Sequence, residues 1–536
     1  MTHKTGFTTA ARRAMASAGV VAATLCSTPA VTRAQQPDPT VYDTNLAVRA
    51  VASGLNQPVG IAFLGSDSYF IVEKASGQVK WVRPVGGVQT TTVVLDLPVN
   101  SFSERGLLSV ALHPDFPANP GVYLFWTESS TSADSAVAAN VGNPNSPYPP
   151  GTPNPFGSRI DRFVWNGSSL AFAQNLLVIR SFQADPTQPL RGNHNGGVIK
   201  FASEGGRARL YVVMGDQGRR GQLQNLEFGA PADPILHPNF PADDQFGGPA
   251  PDQAHLSGVV LRLNDDGSAP DDNPFFAYGR ELINGGNAAV GTQLQKVFAY
   301  GVRNSFGLDI DPASGDVWIQ ENGDDSFSEL NRVVAGQNGG WVQVAGPVSR
   351  IAEFKAIESG TFFLSPGKYA GMQQVRFPAT YLADTPDQVM SRLFMLPGAT
   401  YHDPEFSWRF EIAPGGIGFL HGRNLGPQYE NDLFMGAAVA AMEGGYLFHF
   451  NLTGNRRKIG VDDPRIEDRV ADNLEKHNFA PPGGTAGDFG IIESESFRFG
   501  RDFGIATDIK TGPNGNLFVV SLSRNTVYEV YRPSKQ

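Results

Sequence analysis

The sequence is poor in cysteine and in charge. It contains 1 Cys, and only 18% of its 536 residues are charged. A disulfide-stapled scaffold is therefore excluded, and a coiled coil or long helical bundle would need a composition richer in charged helix formers. Lys and Arg together (42) are fewer than Asp and Glu (52), and no basic stripe is present. This balance argues against a nucleic-acid partner.

Several chemical motifs are also absent. The chain has no Gly-x-Gly-x-x-Gly between a strand and a helix, no P-loop, no His-Glu-x-x-His and no Gly-x-Ser-x-Gly. These absences exclude a Rossmann cofactor site, a phosphate-binding loop, a zincin centre and a nucleophile elbow. There is no Cys-x-x-Cys-His haem attachment motif either, so an oxidoreductase of this sequence would need a separate electron acceptor.

Glycine (61), proline (39) and aromatic residues (10%) are abundant, which favours an all-β chain with many turns. An apolar strand, a turn and an alternating strand recur six times, which is the pattern of repeated hairpins. The copies begin at residues 60, 108, 197, 307, 416 and 509. They predict a six-bladed β-propeller over residues 46–536. A pair of β-sandwiches is the alternative.

The unequal spacing of the hairpins predicts long inter-blade loop insertions. Their composition places them at residues 129–158, 219–255, 345–405 and 453–495. On a propeller, function usually comes from such loops and from blade edges rather than from the framework.

The N-terminus has the pattern of an export signal. An apolar run at 14–26 follows three basic residues, Lys4, Arg12 and Arg13. Segment 1–34 is therefore predicted to be a signal peptide of the Sec or twin-arginine type, and 35–45 a linker. The run is too short for a stable membrane anchor, so we expect an exported protein, periplasmic or secreted.

One histidine is set in a turn that a ligand could approach. Residues 191–197 read Arg-Gly-Asn-His-Asn-Gly-Gly, and the glycines permit close backbone contact. His194 is a candidate general base near neutral pH. Asp216 ends the next predicted strand and is a candidate to orient it. The alternatives are a histidine that ties the turn together and an Asx-turn.

Two further stretches carry candidate polar groups. Arg303 and Asn304 precede a predicted strand, and the guanidinium suits an oxyanion or a quinone oxygen. Residues 321–331 are rich in oxygen ligands around Gly323, which suits a hard cation such as Ca²⁺, although the spacing is not that of an EF-hand. The alternatives are an arginine that clamps a neighbouring blade and a solvated acidic loop.

Taken in order, these stretches resemble the soluble quinoprotein glucose/sorbosone dehydrogenase family, which includes the aldose sugar dehydrogenases. The resemblance rests on residues 55–63, 72–79, 106–116, 194–197, 215–219, 258–268, 272–275, 300–304, 329–331 and 338–341. The ordered set is specific, whereas each piece alone is not. It implies a six-bladed propeller with pyrroloquinoline quinone (PQQ) over Ca²⁺ at one end of the axis, and a sugar or polyol substrate.

The resemblance also implies roles for individual residues. His194 matches the base, Asp216 its orienting carboxylate and Arg303 the residue that stabilises the reduced quinone oxygen. Asn304 matches a cofactor contact, and Gln217, beside Asp216, is assigned to the cofactor as well. For Ca²⁺, the resemblance points to the backbone carbonyls of Gly323 and Asp324, with Glu329 as the acidic residue of the same loop.

The sequence departs from the family pattern at several positions. Val302 stands where the family often has His, the fifth blade lacks the expected Lys, and the arginine pair of the sixth blade is not at the expected spacing. We expect Arg423 and Arg501 to substitute as cofactor contacts, with Arg498 as another candidate. Two other functions remain open: a non-catalytic propeller that binds a glycan or a protein partner, and a Ca²⁺-dependent hydrolase or lactonase.

Overall fold

The computed structural model describes residues 37–149, 157–181, 192–218, 256–358, 382–438, 444–474 and 490–534. The predicted signal segment (1–34) and the expected insertion at 219–255 lie outside these ranges. Within the described residues the chain is predominantly β-structure, as the turn-rich and aromatic composition predicts.

The first half of the strands lies between residues 40 and 310. They are β1 (Thr40–Val41), β2 (Ala47–Ala52), β3 (Pro58–Gly65), β4 (Ser68–Glu73), β5 (Gln78–Val85), β6 (Val88–Asp96), β7 (Leu107–Leu112), β8 (Gly121–Thr127), β9 (Gly157–Trp165), β10 (Leu170–Arg180), β11 (Val198–Glu204), β12 (Arg207–Met214), β13 (Val259–Asn264), β14 (Val297–Tyr300) and β15 (Leu308–Ile310).

The second half contains more short strands. They are β16 (Val317–Glu321), β17 (Ser326–Val333), β18 (Gln337–Asn338), β19 (Thr400–Tyr401), β20 (Phe406–Phe410), β21 (Pro414–Phe419), β22 (Leu433–Ala437), β23 (Tyr446–Phe450), β24 (Leu452–Thr453), β25 (Lys458–Ile459), β26 (Val470–Ala471), β27 (Arg498–Arg501), β28 (Ala506–Thr511), β29 (Leu517–Ser521) and β30 (Thr526–Tyr531). Strands β1 and β27 pair, so part of the segment expected to be a linker (35–45) belongs to a sheet.

The larger sheets each radiate from an innermost strand. From the inside outwards they are β3-β4-β5-β6, β7-β8-β9-β10, β11-β12-β13-β14-β18-β19, β15-β16-β17-β20-β26, β21-β22-β23-β27-β1 and β28-β29-β30-β2, and β24-β25 form a separate ribbon. Each innermost strand contacts the next, and β28 contacts β3, so the innermost strands form a closed ring. The all-β propeller predicted from the sequence is confirmed.

The prediction of six blades is wrong in number, because the described structure contains five blades. Each hairpin found in the sequence lies in a different sheet. Five sheets are blades built around four strands that follow one another in chain order, whereas the remaining sheet joins β2 to β28, β29 and β30. The register Val48↔Val530 pairs the first part of the described chain with the last. One sheet is shared because the two ends must pair to close the ring.

Strand β8 illustrates how the blades pack. Tyr123 and Phe125 belong to a core shared with the β11–β14 sheet, whereas Val122, Leu124 and Trp126 pack toward β3–β6. Successive side chains of a strand point to opposite faces, so a strand between two neighbouring blades is apolar on both faces. This packing explains why all seven residues of β8 are buried.

Four short α-helices lie within the described residues: α1 (Phe276–Asn284), α2 (Ala288–Leu294), α3 (Ile351–Glu358) and α4 (Pro386–Arg392). The last two fall in the stretch 345–405, which was expected to be loop. Helix α4 begins at a recognisable signal, because the Thr385 side chain accepts a hydrogen bond from the backbone N–H of Gln388 and Pro386 follows it. Short 3₁₀ turns occur at Val348–Arg350, Pro427–Tyr429, Pro464–Ile466 and Glu495–Phe497.

In the part of the chain that the structure describes, none of the helices has the length and apolar character that crossing a membrane requires.

The ring of inner strands fixes where the functional side chains lie. Gly415, Gly416 and Gly418 of β21 lie against Ala506, Thr507 and Ile509 of β28 in the same order, so these neighbouring inner strands run in the same direction. Strands β11 and β12 pair antiparallel, so the residues before β11 and those after β12 meet at one end of their hairpin. The same holds for β15 and β16.

Candidate functional site

His194 and Asp216 meet at the end of the β11–β12 hairpin where β11 begins and β12 ends. His194 precedes β11, Asp216 follows β12, and His194 Nδ1 lies 2.5 Å from Asp216 Oδ1. Both residues are buried. The structure therefore brings together the two residues that the sequence singled out as a base and its orienting carboxylate.

Two further hydrogen bonds hold the Asp216 carboxylate. The indole Nε1 of Trp341 donates to Oδ2 at 2.9 Å, and the backbone N–H of Gly218 donates to Oδ1 at 2.8 Å. Burial raises the pKa of Asp216, but His194, Arg303 and the Gly218 N–H outweigh it and lower this pKa to about 2. An ionised Asp216 needs a proton on His194 Nδ1, which leaves Nε2 as the acceptor.

Glu104 anchors His194 from the neighbouring blade. Its Oε2 accepts the backbone N–H of His194 at 2.5 Å and the Asn304 side-chain Nδ2 at 3.2 Å. His194 has φ 56°, a left-handed conformation that costs a non-glycine residue about 1 kcal/mol or more. The hydrogen bond that the His194 N–H donates to Glu104 helps to hold this conformation. Sequence reasoning missed Glu104, although it stands just before the quoted stretch 106–116.

Arg303 is fixed by backbone and side-chain groups of the β16–β17 turn. Its guanidinium donates to the Asn322 carbonyl at 2.7 Å and to Asp324 Oδ1 at 2.5 Å, and its backbone N–H donates to Glu321 Oε2 at 2.6 Å. The guanidinium carbon lies 5.6 Å from the centre of the Trp341 ring. Burial lowers the pKa of Arg303, but Asp324 and other carboxylates raise it above its ordinary value.

Buried carboxyl groups outnumber buried cations around this arginine. Glu321 and Glu329 are directly paired across β16 and β17, and Asp324, Asp325 and Glu358 lie nearby. Burial raises the pKa of Glu329 to about 7, of Asp325 to about 9 and of Glu358 to about 8. The pKa of Glu321 is also raised, by burial and by the adjacent Glu329.

Two of these carboxyl groups, Glu321 and Glu329, line a cavity of about 10 Å³ together with Gly323 and Arg303. Such a volume holds about one water-sized particle. Oxygen donors in excess of positive charge fit a hard cation such as Ca²⁺. Among the described residues, however, no three acidic or histidine side chains converge on one point, so backbone carbonyls would have to supply further ligands.

Buried polar atoms near His194 lack protein partners. Within the described residues these include Arg303 Nε, Asn304 Oδ1, Asn195 Oδ1 and Asp324 Oδ2. A buried polar atom left without a hydrogen bond costs about 1–3 kcal/mol. These atoms therefore indicate a place where a polar group can bind.

Of the other predicted cofactor contacts, two lie at the site and two lie away from it. Asn304 lies at the site through Glu104, and Gln217 lies beside Asp216, with its backbone N–H donating to the His194 carbonyl at 3.2 Å. Arg423 follows β21 at the opposite end of the ring, where it pairs with Glu430 at 2.6 Å. Arg501 ends β27, a strand near the outer edge of its sheet, and lies 3.5 Å from Asp502. Neither arginine joins the site, because each lies in a different part of its blade.

Two other residues at this end were not assigned a role from the sequence. Lys74 follows β4, and its Nζ donates to the Ser101 carbonyl at 3.1 Å. Burial lowers the pKa of Lys74 to about 8, although the nearby Glu104 opposes the shift. Trp341 contacts both Asp216 and Arg303. Lys74 and Trp341 both stand in stretches already quoted for the resemblance, 72–79 and 338–341, but neither spacing nor residue type revealed these contacts.

Comparison with known proteins identifies a family that this sequence matches. The sequence matches the family described as "Glucose / Sorbosone dehydrogenase" over residues 55–232 and 240–353. Quinoprotein glucose dehydrogenase B of Acinetobacter calcoaceticus is 29% identical over 304 residues, which cover 56% of this chain and 53% of that protein. The match thus spans about half the length of this relative.

Solved structures extend the similarity to nearly the whole chain. The soluble aldose sugar dehydrogenase of Escherichia coli in its apo form matches with a TM-score of 0.54 at 19% identity, covering 91% of this chain and 100% of that chain. The PQQ-bound aldose sugar dehydrogenase of Streptomyces coelicolor matches with a TM-score of 0.51 at 19% identity, covering 92% and 99%. These similarities show a shared fold.

Proposed function

Because the chain belongs to the glucose/sorbosone dehydrogenase family, we propose that it is a PQQ-dependent dehydrogenase that oxidises an aldose or a related hydroxyl substrate. The observation that carries the proposal is the buried His194–Asp216 pair at 2.5 Å. It is oriented by Trp341 and lies beside a fixed arginine, at one end of the propeller ring. The names of the relatives support the same class of reaction.

In this proposal His194 is the general base. Its Nε2 has no hydrogen-bond partner among the described residues, so it can accept the proton of a substrate hydroxyl. Asp216, ionised because its pKa is about 2, stabilises the imidazolium that forms and keeps Nδ1 protonated. Such positioned bases typically contribute about 10²- to 10⁴-fold to a rate.

The neighbouring residues would hold the proton acceptor and the substrate oxygen in place. Glu104 fixes the main chain of His194 and the side chain of Asn304, so both move as one unit. Arg303 carries a permanent positive charge within the same site, and its Nε is without a partner. A fixed positive charge stabilises negative charge that develops on a nearby oxygen.

The residues present fit PQQ and Ca²⁺ in chemical type. PQQ, when bound, would accept the hydride that leaves the substrate carbon. Arg303 and Lys74 are cations at this end, and their positive charge suits the quinone oxygens and carboxylates of PQQ. Ca²⁺ would be held by Gly323, Asp324 and Glu329, where buried carboxyl groups exceed positive charge.

Titration of the mature protein with PQQ tests the proposal directly. We expect saturable binding that requires Ca²⁺, measured calorimetrically and by the cofactor absorbance, and dye-linked oxidation of aldoses by the complex. Arg303→Gln should weaken PQQ binding at least tenfold, because a charge-assisted contact is lost. Arg423→Gln is the matched control and should bind like the wild type. If PQQ fails to bind with Ca²⁺ present, the proposed dehydrogenase activity is wrong.

A non-catalytic propeller is the second candidate. The observation that favours it is the position of Arg423 and Arg501, which leaves fewer cations for a tricarboxylate than the family pattern contains. This candidate predicts no PQQ binding and a partner interaction that survives His194→Ala. A glycan array and a pull-down with both proteins would distinguish the two functions.

We also propose that the protein is exported and that it passes electrons to a separate acceptor. Segment 1–34, whose pattern is that of a signal peptide, would direct the protein to the periplasm or outside the cell. The sequence contains no haem attachment motif, so electrons would pass to a separate acceptor.

A further inference from the structure

A larger cavity lies at the other end of the ring from His194. Its volume is about 420 Å³, within the range of small-molecule sites. Phe63, Phe419 and Lys510 line it from the carboxyl ends of β3, β21 and β28. His194 and Arg303 instead precede the amino ends of β11 and β15. The cavity is therefore separate from the site described above.

Two lysines and a histidine provide the polar wall of this cavity. Lys200 Nζ lies 2.6 Å from Asp309, and Lys510 Nζ lies 3.0 Å from Asp508. His421 lies close enough to Lys200 and Asp309 for both charges to act on its ring. Because the two lysines are balanced by two aspartates, the wall has no large net charge of either sign.

The two aspartates beside these lysines already accept hydrogen bonds from protein groups. Asp309 accepts from Lys200 and from the backbone N–H groups of Ile310 and Phe419, at 2.9 and 2.8 Å for the latter two. Asp508 Oδ2 accepts the backbone N–H of Ile61 at 2.9 Å as well as Lys510. The cavity therefore offers few acceptors for the hydroxyl groups of a ligand.

Donors, in contrast, remain available. An ammonium group has three N–H donors. Lys200 uses one on Asp309, and Lys510 uses two, on Asp508 and on the Ile61 carbonyl at 2.5 Å. The described contacts of the His421 ring include no hydrogen bond, since its only bond is from its backbone N–H to Thr511 Oγ1. A ligand that mainly accepts hydrogen bonds would be matched here.

We propose that this cavity binds a small organic monocarboxylate between Lys200, Lys510 and His421, with its apolar part against Phe63 and Pro513. A neutral polyol needs several acceptors for its hydroxyls, whereas Asp309, the carboxylate that lines the cavity, already accepts from Lys200, Ile310 and Phe419. A phosphate dianion would carry more charge than a wall with two balanced ion pairs compensates. A single carboxylate provides acceptor oxygens for the remaining N–H donors and adds only one charge.

Calorimetric titration of the full mature protein tests this site with three small probes that differ in charge and in hydroxyl content. Sodium pentanoate carries one carboxylate and an apolar chain, sorbitol is a neutral polyol, and inorganic phosphate is the more highly charged anion. We expect saturable binding of pentanoate alone. Lys510→Gln and His421→Gln should each weaken it at least tenfold, while Lys458→Gln, an exposed lysine elsewhere, should leave it unchanged.

The His194→Asn variant separates this site from the proposed active site. Pentanoate binding should persist in His194→Asn, because that residue lies at the other end of the ring. Circular dichroism and thermal melting establish whether each variant is folded. If Lys510→Gln does not fold, His421→Gln still tests the site. The proposal is overturned if pentanoate does not bind, if sorbitol or phosphate binds as tightly, or if His194→Asn abolishes binding while folded His421→Gln retains it.

Discussion

The indole Nε1 of Trp341 donates a 2.9 Å hydrogen bond to Oδ2 of Asp216, across a separation of 125 residues. Asp216 Oδ1 in turn contacts His194 Nδ1. The orientation of the proposed base is therefore set by a tryptophan that follows β18 as well as by its immediate partner. His194 precedes β11, Asp216 follows β12 and Trp341 follows β18. These contacts therefore form only when the propeller is folded.

Trp341→Phe should destabilise the protein by about 1–3 kcal/mol, because Asp216 Oδ2 loses its donor while it stays buried. Urea unfolding of wild type and variant measures this loss. Trp318→Phe is the matched control, since Trp318 is equally buried but its Nε1 has no hydrogen-bond partner in the described structure. Equal destabilisation by both substitutions would show that packing alone, and not the hydrogen bond to Asp216, explains the effect.

Asp216→Asn should lower activity by about 10²- to 10⁴-fold, because the base loses the ionised group that fixes its tautomer. The kcat of the loaded enzyme measures this effect. Asp432→Asn is the control, as Asp432 pairs with His449 at 2.8 Å away from the site. A comparable loss of kcat in the control would argue against a special role for Asp216.

The same aspartate predicts a pH dependence of stability. Its folded pKa, about 2, lies below the unfolded value, so its contribution is present above about pH 4 and is lost as pH falls through about 2. The contribution is about 2–3 kcal/mol, because the folded and unfolded pKa values differ by about two and each unit corresponds to about 1.4 kcal/mol. Unfolding at pH 2 to 6 should show this loss in the wild type and not in Asp216→Asn; parallel curves would contradict it.

Ca²⁺ should stabilise the wild-type protein, because buried carboxyl groups around Glu329 exceed the nearby positive charge. At a concentration about 100 times its Kd, a bound cation adds about 2.7 kcal/mol, and a chelator should reverse it. Thermal melting with and without Ca²⁺ measures the effect. Glu329→Gln should lose most of the gain, whereas Glu405→Gln, at the edge of β20, should keep it. A gain retained in full by Glu329→Gln would place the ion elsewhere.

Glu104→Leu should reduce kcat by about tenfold to a hundredfold, since small displacements of a reacting group are costly. The variant removes the acceptor of the His194 N–H and of Asn304 Nδ2. Glu104→Gln keeps an acceptor oxygen and should restore most of the rate. If the glutamine variant is as slow as the leucine variant, the negative charge of Glu104 and not its hydrogen bonds is what matters.

Much of the site was predictable because its residues stand at the ends of recognisable hairpins. His194, Asp216, Arg303 and Asn304 each flank a strand whose apolar pattern is visible in the sequence. Pairing of β11 with β12 then brings His194 and Asp216 together without any long-range contact. Glu104 and Trp341 were not assigned roles, because Glu104 reaches the site from another blade and Trp341 lies 125 residues from Asp216, and no local pattern encodes such a contact.

The positions of the expected cofactor arginines could not be predicted from the sequence. Arg423 and Arg501 have the right chemistry, but sequence distance from a strand does not reveal which end of the ring a residue occupies. Arg423 lies beyond the carboxyl end of β21, and Arg501 ends a strand far from the axis. The loop expected at 345–405 contains α3 and α4, although Thr385-Pro386 is a recognisable helix start.

By itself the sequence determined the all-β class, the recurrent hairpins and the polar residues at their ends, because alternation, turn residues and strand ends are local properties of the chain. Only the tertiary structure decided how the ring closes, through the pairing of β2 with β30, and which distant groups surround His194. It also decided that Lys200, Lys510 and His421 share one cavity. These contacts depend on packing between blades, and packing is fixed by the whole ring rather than by any one segment.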